Sequence, residues 1–186
     1  MRIIGGDFKG RKLKTPHGLQ VRPTSDRLRE TLFNIIVNRV ENAGFLDICA
    51  GSGAVGIEAL SRGADKVTFI ERSPHAVAVI QANLDSIRAA TGQRSIRVLK
   101  GNATNELVRL AKMGEHFDLV FFDPPYESPI YEQVLTQLGR GIAISEKSIV
   151  IVEHRINRPP GKAYGRLEMY REVKQGDSAI SLFAIG

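Results

Sequence analysis

From Phe45 onward, short continuous apolar runs alternate with longer stretches whose apolar residues recur at helical spacing. Phe45 to Cys49, Val67 to Ile70, Ile96 to Leu99, Phe117 to Phe122 and Ile149 to Val152 predict five buried strands. Between them the pattern predicts four helices. One runs from Ala54 to Ser61 and stops at Gly63; the next opens on the Ser73 cap and Pro74 and carries Val77, Ile80, Leu84 and Ile87. Thr104 caps a third that runs through Leu110, and Tyr131 to Leu138 form a fourth ending at Gly139. Leu167 to Val173 and Ala179 to Ala184 alternate around Gln175-Gly176-Asp177, the pattern of an antiparallel hairpin. Repeated strand-helix units imply an α/β protein with a mainly parallel sheet of seven strands, the last two from this hairpin. Helices cover both faces, and ligands sit at the carboxyl ends of the strands.

The first 43 residues follow another pattern. Arg2 to Gly6 and Phe8 to Leu13 predict a basic β-hairpin, and Thr15 to Pro23 a loop. Thr24 or Ser25 caps a helix with Leu28, Leu32, Ile35 and Ile36 on its apolar face and Arg27 and Arg29 pointing elsewhere. It ends between Asn38 and Ala43, which divides a basic extension, residues 1–43, from a main domain, residues 44–186. Residues 1–39 hold nine Lys/Arg against three acids, a surplus equal to the whole formal net charge of +6. A short basic segment on a neutral body suggests a phosphate-binding surface. Arg2, Lys9, Arg11, Lys12 and Arg22 are its candidate contacts, and the interleaved Ile3, Ile4, Phe8 and Leu13 argue that the segment is folded.

At 42% hydrophobic and 25% charged residues the chain reads as an ordinary globular protein. It has no apolar run near the roughly 20 residues of a membrane helix and no signal-peptide pattern, so a cytoplasmic monomer without membrane contact is expected. The single cysteine, Cys49, falls in an apolar strand and is expected to be buried rather than reactive. The four scattered histidines have no ligand spacing, and no metal is expected. His154 reads as a surface histidine.

Candidate chemistry gathers at the predicted strand ends. Gly51, Gly53 and Gly56 satisfy G-x-G-x-x-G and Glu71 ends the second strand, a pairing that taken alone suggests a dinucleotide dehydrogenase. Asp47, just before the glycine loop, pulls away from that reading. A pyrophosphate would be repelled by a carboxylate in its cradle, whereas the cationic tail of S-adenosylmethionine is attracted. On that reading Asp47 lies near the methionine end through backbone or water contacts. Ala50, Gly51 and Gly53 allow close approach, Glu71 accepts from the ribose hydroxyls, and Gly101, Asn102 and Ala103 border the adenine. The fourth strand ends in Asp123-Pro124-Pro125-Tyr126, whose prolines stop any regular element and leave a carboxylate, free carbonyls and an aromatic face in one loop. Asp123 and the Pro124 carbonyl can accept the two hydrogens of a planar amine while Tyr126, next to Pro125, stacks on the heterocycle bearing it.

With these motifs the chain resembles bacterial S-adenosylmethionine-dependent methyltransferases acting on guanine N2 of 16S ribosomal RNA. The resemblance runs nearly end to end, through Met1 to Gly6, Arg22-Pro23-Thr24 with Asp26, Arg29-Glu30, Phe33-Asn34, the glycine loop continuing to Ala64, and Asp123 to Tyr126. It implies a Rossmann-like class I methyltransferase fold, S-adenosylmethionine as cofactor, Asp123, Pro124 and Tyr126 as catalytic residues, and the small ribosomal subunit as partner. Two positions depart from the family pattern: Asn102 stands where Asp is usual, and Cys49 where an aromatic or aliphatic residue is usual. DNA adenine-N6 methylation, protein glutamine methylation and NAD-dependent dehydrogenation remain open from the residues themselves.

Overall fold

Phe45, Leu46, Asp47 and Ile48 are all buried, so β1 (Gly44–Ile48) is covered on both faces and lies inside the sheet. The computed structural model describes residues 1–16, 25–125 and 129–186. Arg22 and Tyr126, and with them Thr24 as an alternative helix cap, lie outside the described residues. Parallel to β1 run β2 (Lys66–Glu71), β3 (Ser95–Lys100), β4 (Phe117–Phe122) and β5 (Ile144–Arg155). The antiparallel strands β6 (Ala163–Tyr164), β7 (Leu167–Gln175) and β8 (Ser178–Ile185) complete the order β3-β2-β1-β4-β5-β8-β7-β6. The chain winds outward in opposite directions from β1 and β4, so a crevice opens between their carboxyl ends.

The sheet has eight strands where the pattern predicts seven. The extra strand, β6, is two residues long, too short to leave a periodic trace. β5 begins five residues earlier than expected because the exposed Ser145, Glu146 and Lys147 interrupt its apolar run at a register shift.

One core packs α1 (Asp26–Ile35), α2 (Val37–Val40), α3 (Ala54–Ser61) and α4 (Pro74–Asp85) on one face of the sheet, through Phe33, Val40, Phe45, Leu60, Phe69 and Ile80. The other packs α5 (Ala103–Lys112) and α6 (Ile130–Gly139) on the opposite face, through Leu107, Leu110, Phe122, Val134 and Leu138. Ser25 caps α1, its Oγ accepting from the Leu28 amide at 3.1 Å. α5 is capped by Asn102 rather than Thr104: the Asn102 Oδ1 accepts from the Thr104 amide at 3.0 Å, so the helix opens earlier than expected. Among the described residues no helix is long and apolar enough to cross a membrane.

The expected N-terminal hairpin is reduced to one antiparallel bridge, Arg2 to Lys12. Its backbone donors are spent on α3 instead. Both Glu58 oxygens accept from this segment, from Ile4 N and Gly5 N at 2.8 Å each, and Ser61 takes the amides of Asp7 and Phe8 through its carbonyl and hydroxyl. Ile3, Phe8 and Leu13 are buried in the same core as α1 and α3. Arg29 does not point away. It is fully buried, its guanidinium donating to the Arg2 carbonyl and to Asp26, with Nε 3.6 Å from Glu58 Oε2. Burial lowers its pKa, against the opposing pull of Glu58 and Asp26. The helical spacing of α1 hides this because the partner of Arg29 lies on another helix.

An uncompensated buried charge is worse than a missing one. Glu58→Ala leaves Arg29 with the exposed Asp26 as its counter-ion, strands the two amides, and is expected to cost about 3–5 kcal/mol by urea denaturation. Arg29→Met leaves Glu58 with Arg62 and both amides, and is expected to cost less.

Candidate functional site

Asp47 and Glu71 organise the crevice. They end adjacent strands, and their buried carboxylates accept from the backbone of the glycine loop and its flanks. The Asp47 Oδ2 takes the Gly56 amide at 2.9 Å, capping α3 from outside because its own N-cap residue, Gly53, has no side chain to do so. Glu71 takes the Gly51 amide at 2.9 Å through one oxygen and the Ser73 amide, at the start of α4, at 2.8 Å through the other. Gly51 turns at φ +56° with open space where a Cβ would stand, so its backbone borders the cavity directly. Gly56 has another reason to be glycine: a Cβ there would lie 2.3 Å from Phe69, so α3 packs against β2 only without one.

Two amides that a pyrophosphate would use, those of Gly51 and Gly56, are thus already given to carboxylates. What this edge presents to the cavity is carboxyl oxygen from Asp47, Glu71 and Asp123. Asp47 is pushed up to about 7, first by burial and then by Glu71, with the Gly56 hydrogen bond opposing. Asp123 is held well above the ordinary carboxylate range by burial, and further by Glu153 and Asp47. A cation entering here relieves repulsion among these groups.

The structure brings most of the predicted site residues to one cavity. Asp47, Ala50, Gly51, Glu71, Asn102, Ala103, Asp123 and Pro125 all line it. Gly53 lies behind the wall as the N-cap residue of α3. Pro124 is buried between two wall residues. The Asp123 amide donates to the Ile48 carbonyl at 3.3 Å, fixing the proline loop to the end of β1. The Asn102 Oδ1 is engaged by the amide and hydroxyl of Thr104, at 3.0 and 2.7 Å. Its role as the α5 cap thus occupies the oxygen that an adenine amino group would otherwise find free.

Two expectations are corrected. Cys49 lies just past β1, in a turn at φ +62°, and its half-buried side chain lines the cavity. Burial and then Glu71, Asp123 and Asp47 push its thiol up, which disfavours the reactive thiolate. His154 is a core residue, because β8 pairs over this end of β5. Its Nδ1 meets the Arg155 carbonyl at 2.9 Å and its Nε2 the Ser181 hydroxyl at 2.8 Å, and burial lowers its pKa.

The sequence pattern misses a third wall. Met1, Thr15 and Pro16 of the N-terminal segment also line the cavity, so the basic segment borders it. Arg2, Lys9, Arg11 and Lys12 are exposed on that segment. Arg11 is partly committed, donating to the Ser86 carbonyl at 3.0 Å and lying over the Phe8 ring. Nothing in the spacing of Met1, Thr15 or Pro16 signals this, since docking on α3 and α4 brings them here.

A family model described as "Conserved hypothetical protein 95" matches residues 1–184. Ribosomal RNA small subunit methyltransferase D of Escherichia coli K12 is 34% identical over 98% of this chain and 89% of its own length. The protein YlbH of Bacillus subtilis, described as a candidate rRNA methyltransferase, is 32% identical over 98% of both chains. Among solved structures, the yhhF protein of Escherichia coli, described as a candidate methyltransferase, superposes with a TM-score of 0.84 at 35% identity, covering 100% of this chain and 97% of that one. The architecture is the Rossmann-like methyltransferase fold.

The raised pKa of Asp47 has a definite sign. Because the folded value, about 7, exceeds the ordinary 3.8, the stability it contributes is full below about pH 3.8 and is lost as pH rises through about 7. Between those limits wild type is expected to lose about 1.4 kcal/mol per pH unit relative to Asp47→Asn. Chemical denaturation of both proteins across this range checks it; parallel pH profiles would contradict it.

Proposed function

The chain belongs to the family described as Conserved hypothetical protein 95, and on that premise we propose that it methylates the exocyclic N2 amino group of a guanine in 16S ribosomal RNA, using S-adenosylmethionine. The observation that carries this reading is the position of Asp123. It stands on the same cavity wall as Glu71 and the glycine loop, so an amine acceptor and a cation-favouring site share one space. The rRNA methyltransferases among its relatives support RNA as the substrate.

The residues present fit the donor. Asp47 and Glu71 place carboxyl oxygens where a sulfonium and an ammonium would be attracted, and take the Gly51 and Gly56 amides away from a phosphate. Each Glu71 oxygen retains a second lone pair for a ribose hydroxyl. Gly101, Asn102 and Ala103 would border the adenine, with the Asn102 amide N–H rather than its occupied oxygen available to the ring. When bound, S-adenosylmethionine supplies an electrophilic methyl group on a positively charged sulfur.

The protein's contribution is positioning. A guanine amine is a poor nucleophile because its lone pair is delocalised into the ring. Asp123 and the Pro124 carbonyl accept its two hydrogens and turn the lone pair toward the cavity. Ionised, Asp123 is the stronger acceptor, and a cation nearby offsets the burial that raises its pKa. Tyr126 stacks on the extruded base, worth about 1–3 kcal/mol. Arg2, Lys9 and Lys12, with Arg11 and Arg22, meet phosphates, so binding should weaken steeply with salt. The basic segment, residues 1–43, acts as the RNA-binding extension of the catalytic domain, residues 44–186.

Incubating the protein with labelled S-adenosylmethionine and small subunits lacking the modification should place label on guanine N2. Asp123→Ala should lower the rate by about 100-fold or more. Label on DNA adenine, no label on rRNA, or an undiminished rate in Asp123→Ala would overturn the reading.

A further inference from the structure

Asn83 is buried in α4, and each polar atom of its amide is used. Its Oδ1 accepts from the Lys14 amide at 2.8 Å, while its Nδ2 donates to the Lys14 carbonyl at 3.0 Å and to the Ser52 carbonyl at 2.9 Å. One side chain therefore grips the backbone of the basic segment by both its donor and its acceptor, and holds the glycine loop with its remaining hydrogen. Only a planar amide offers an acceptor and two donors in this arrangement, and Gln would carry them one methylene too far. Ser52 is itself a wall residue of the cavity, and Lys14 directly precedes two more, Thr15 and Pro16.

Other contacts run the same way. Leu13 N donates to the Met1 carbonyl at 3.0 Å, and the Ser52 hydroxyl reaches the Met1 sulfur at 3.9 Å, so the start of the segment meets the loop that Asn83 holds. Helix α4 spans the two regions. At its start the Ser73 amide is held by Glu71, and just past its end Ser86 receives Arg11. The glycine loop is thereby joined to Lys14 and Arg11 by an unbroken run of hydrogen bonds and helix.

We infer that Asn83 is a positioning residue that couples the cavity to the basic segment, so that donor binding and RNA binding strengthen each other. The coupling presupposes the donor and RNA proposed above. It is reciprocal, because each ligand must change the affinity for the other by the same factor.

The test uses S-adenosylhomocysteine, which is not consumed, and small subunits lacking the modification. In wild type, saturating S-adenosylhomocysteine should tighten subunit binding about tenfold, within the usual range of such couplings. In Asn83→Ala the ratio should fall below about twofold. Val134→Ala, a core truncation in α6 on the opposite face, should keep the wild-type ratio and so separates coupling from general destabilisation. A wild-type ratio of one, or an Asn83→Ala ratio equal to wild type, overturns the inference. Limited trypsin digestion of wild type alone gives a second reading: S-adenosylhomocysteine should slow cleavage after Lys12 and Lys14 several-fold, and unchanged cleavage overturns the coupling even where Asn83→Ala does not fold. Absence of any binding of S-adenosylhomocysteine or of subunits to wild type would instead sink the proposed activity, and the coupling with it.

Discussion

Two buried carboxylates holding backbone amides at the carboxyl edge of the sheet are the constraint on which the site depends. Asp47 caps α3 through Gly56, and Glu71 fixes both the glycine loop and the start of α4. Without them the first turns of two helices would leave amides unpaired at the floor of a cavity. With them the loop has a fixed shape, but its charge preference is reversed from that of a phosphate cradle. A glycine-rich loop is read as anion-binding because its amides point at the ligand. Here the Gly51 and Gly56 amides point at acids, and the cavity that results favours positive charge.

The same economy attaches the basic segment. Its backbone donors pair with Glu58 and Ser61 on α3 instead of forming a hairpin, and Asn83 on α4 takes both backbone groups of Lys14. Charge is divided accordingly. Arg29 is consumed in the core, balancing Glu58 and Asp26, while Arg2, Lys9 and Lys12 remain exposed. The surplus visible in the sequence is therefore part structural and part available to a polyanion.

The strand and helix alternation was legible because buried parallel strands carry continuous apolar runs, and α3 and β4 were found at their observed limits. The convergence of Asp47, Glu71, Asn102 and Asp123 followed from one topological rule, that strand ends share an edge. What escaped depends on pairings between distant elements. Arg29 looked like a solvated helix residue because Glu58 lies 29 positions away. His154 looked exposed because β8, which pairs beside it and supplies its Ser181 partner, comes later in the chain. Cys49 looked like a strand residue because nothing in Asp47-Ile48-Cys49-Ala50 announces a left-handed turn. The contributions of Met1, Thr15 and Asn83 come from docking, which leaves no periodic signal.

If carboxylate-held amides define the site, ligand charge decides what binds. Titration calorimetry with S-adenosylmethionine and NAD under identical conditions tests this most directly. A single saturable site for S-adenosylmethionine, with no measurable heat from NAD, is the predicted result. Binding of NAD as tight as that of S-adenosylmethionine, or tighter, would contradict it.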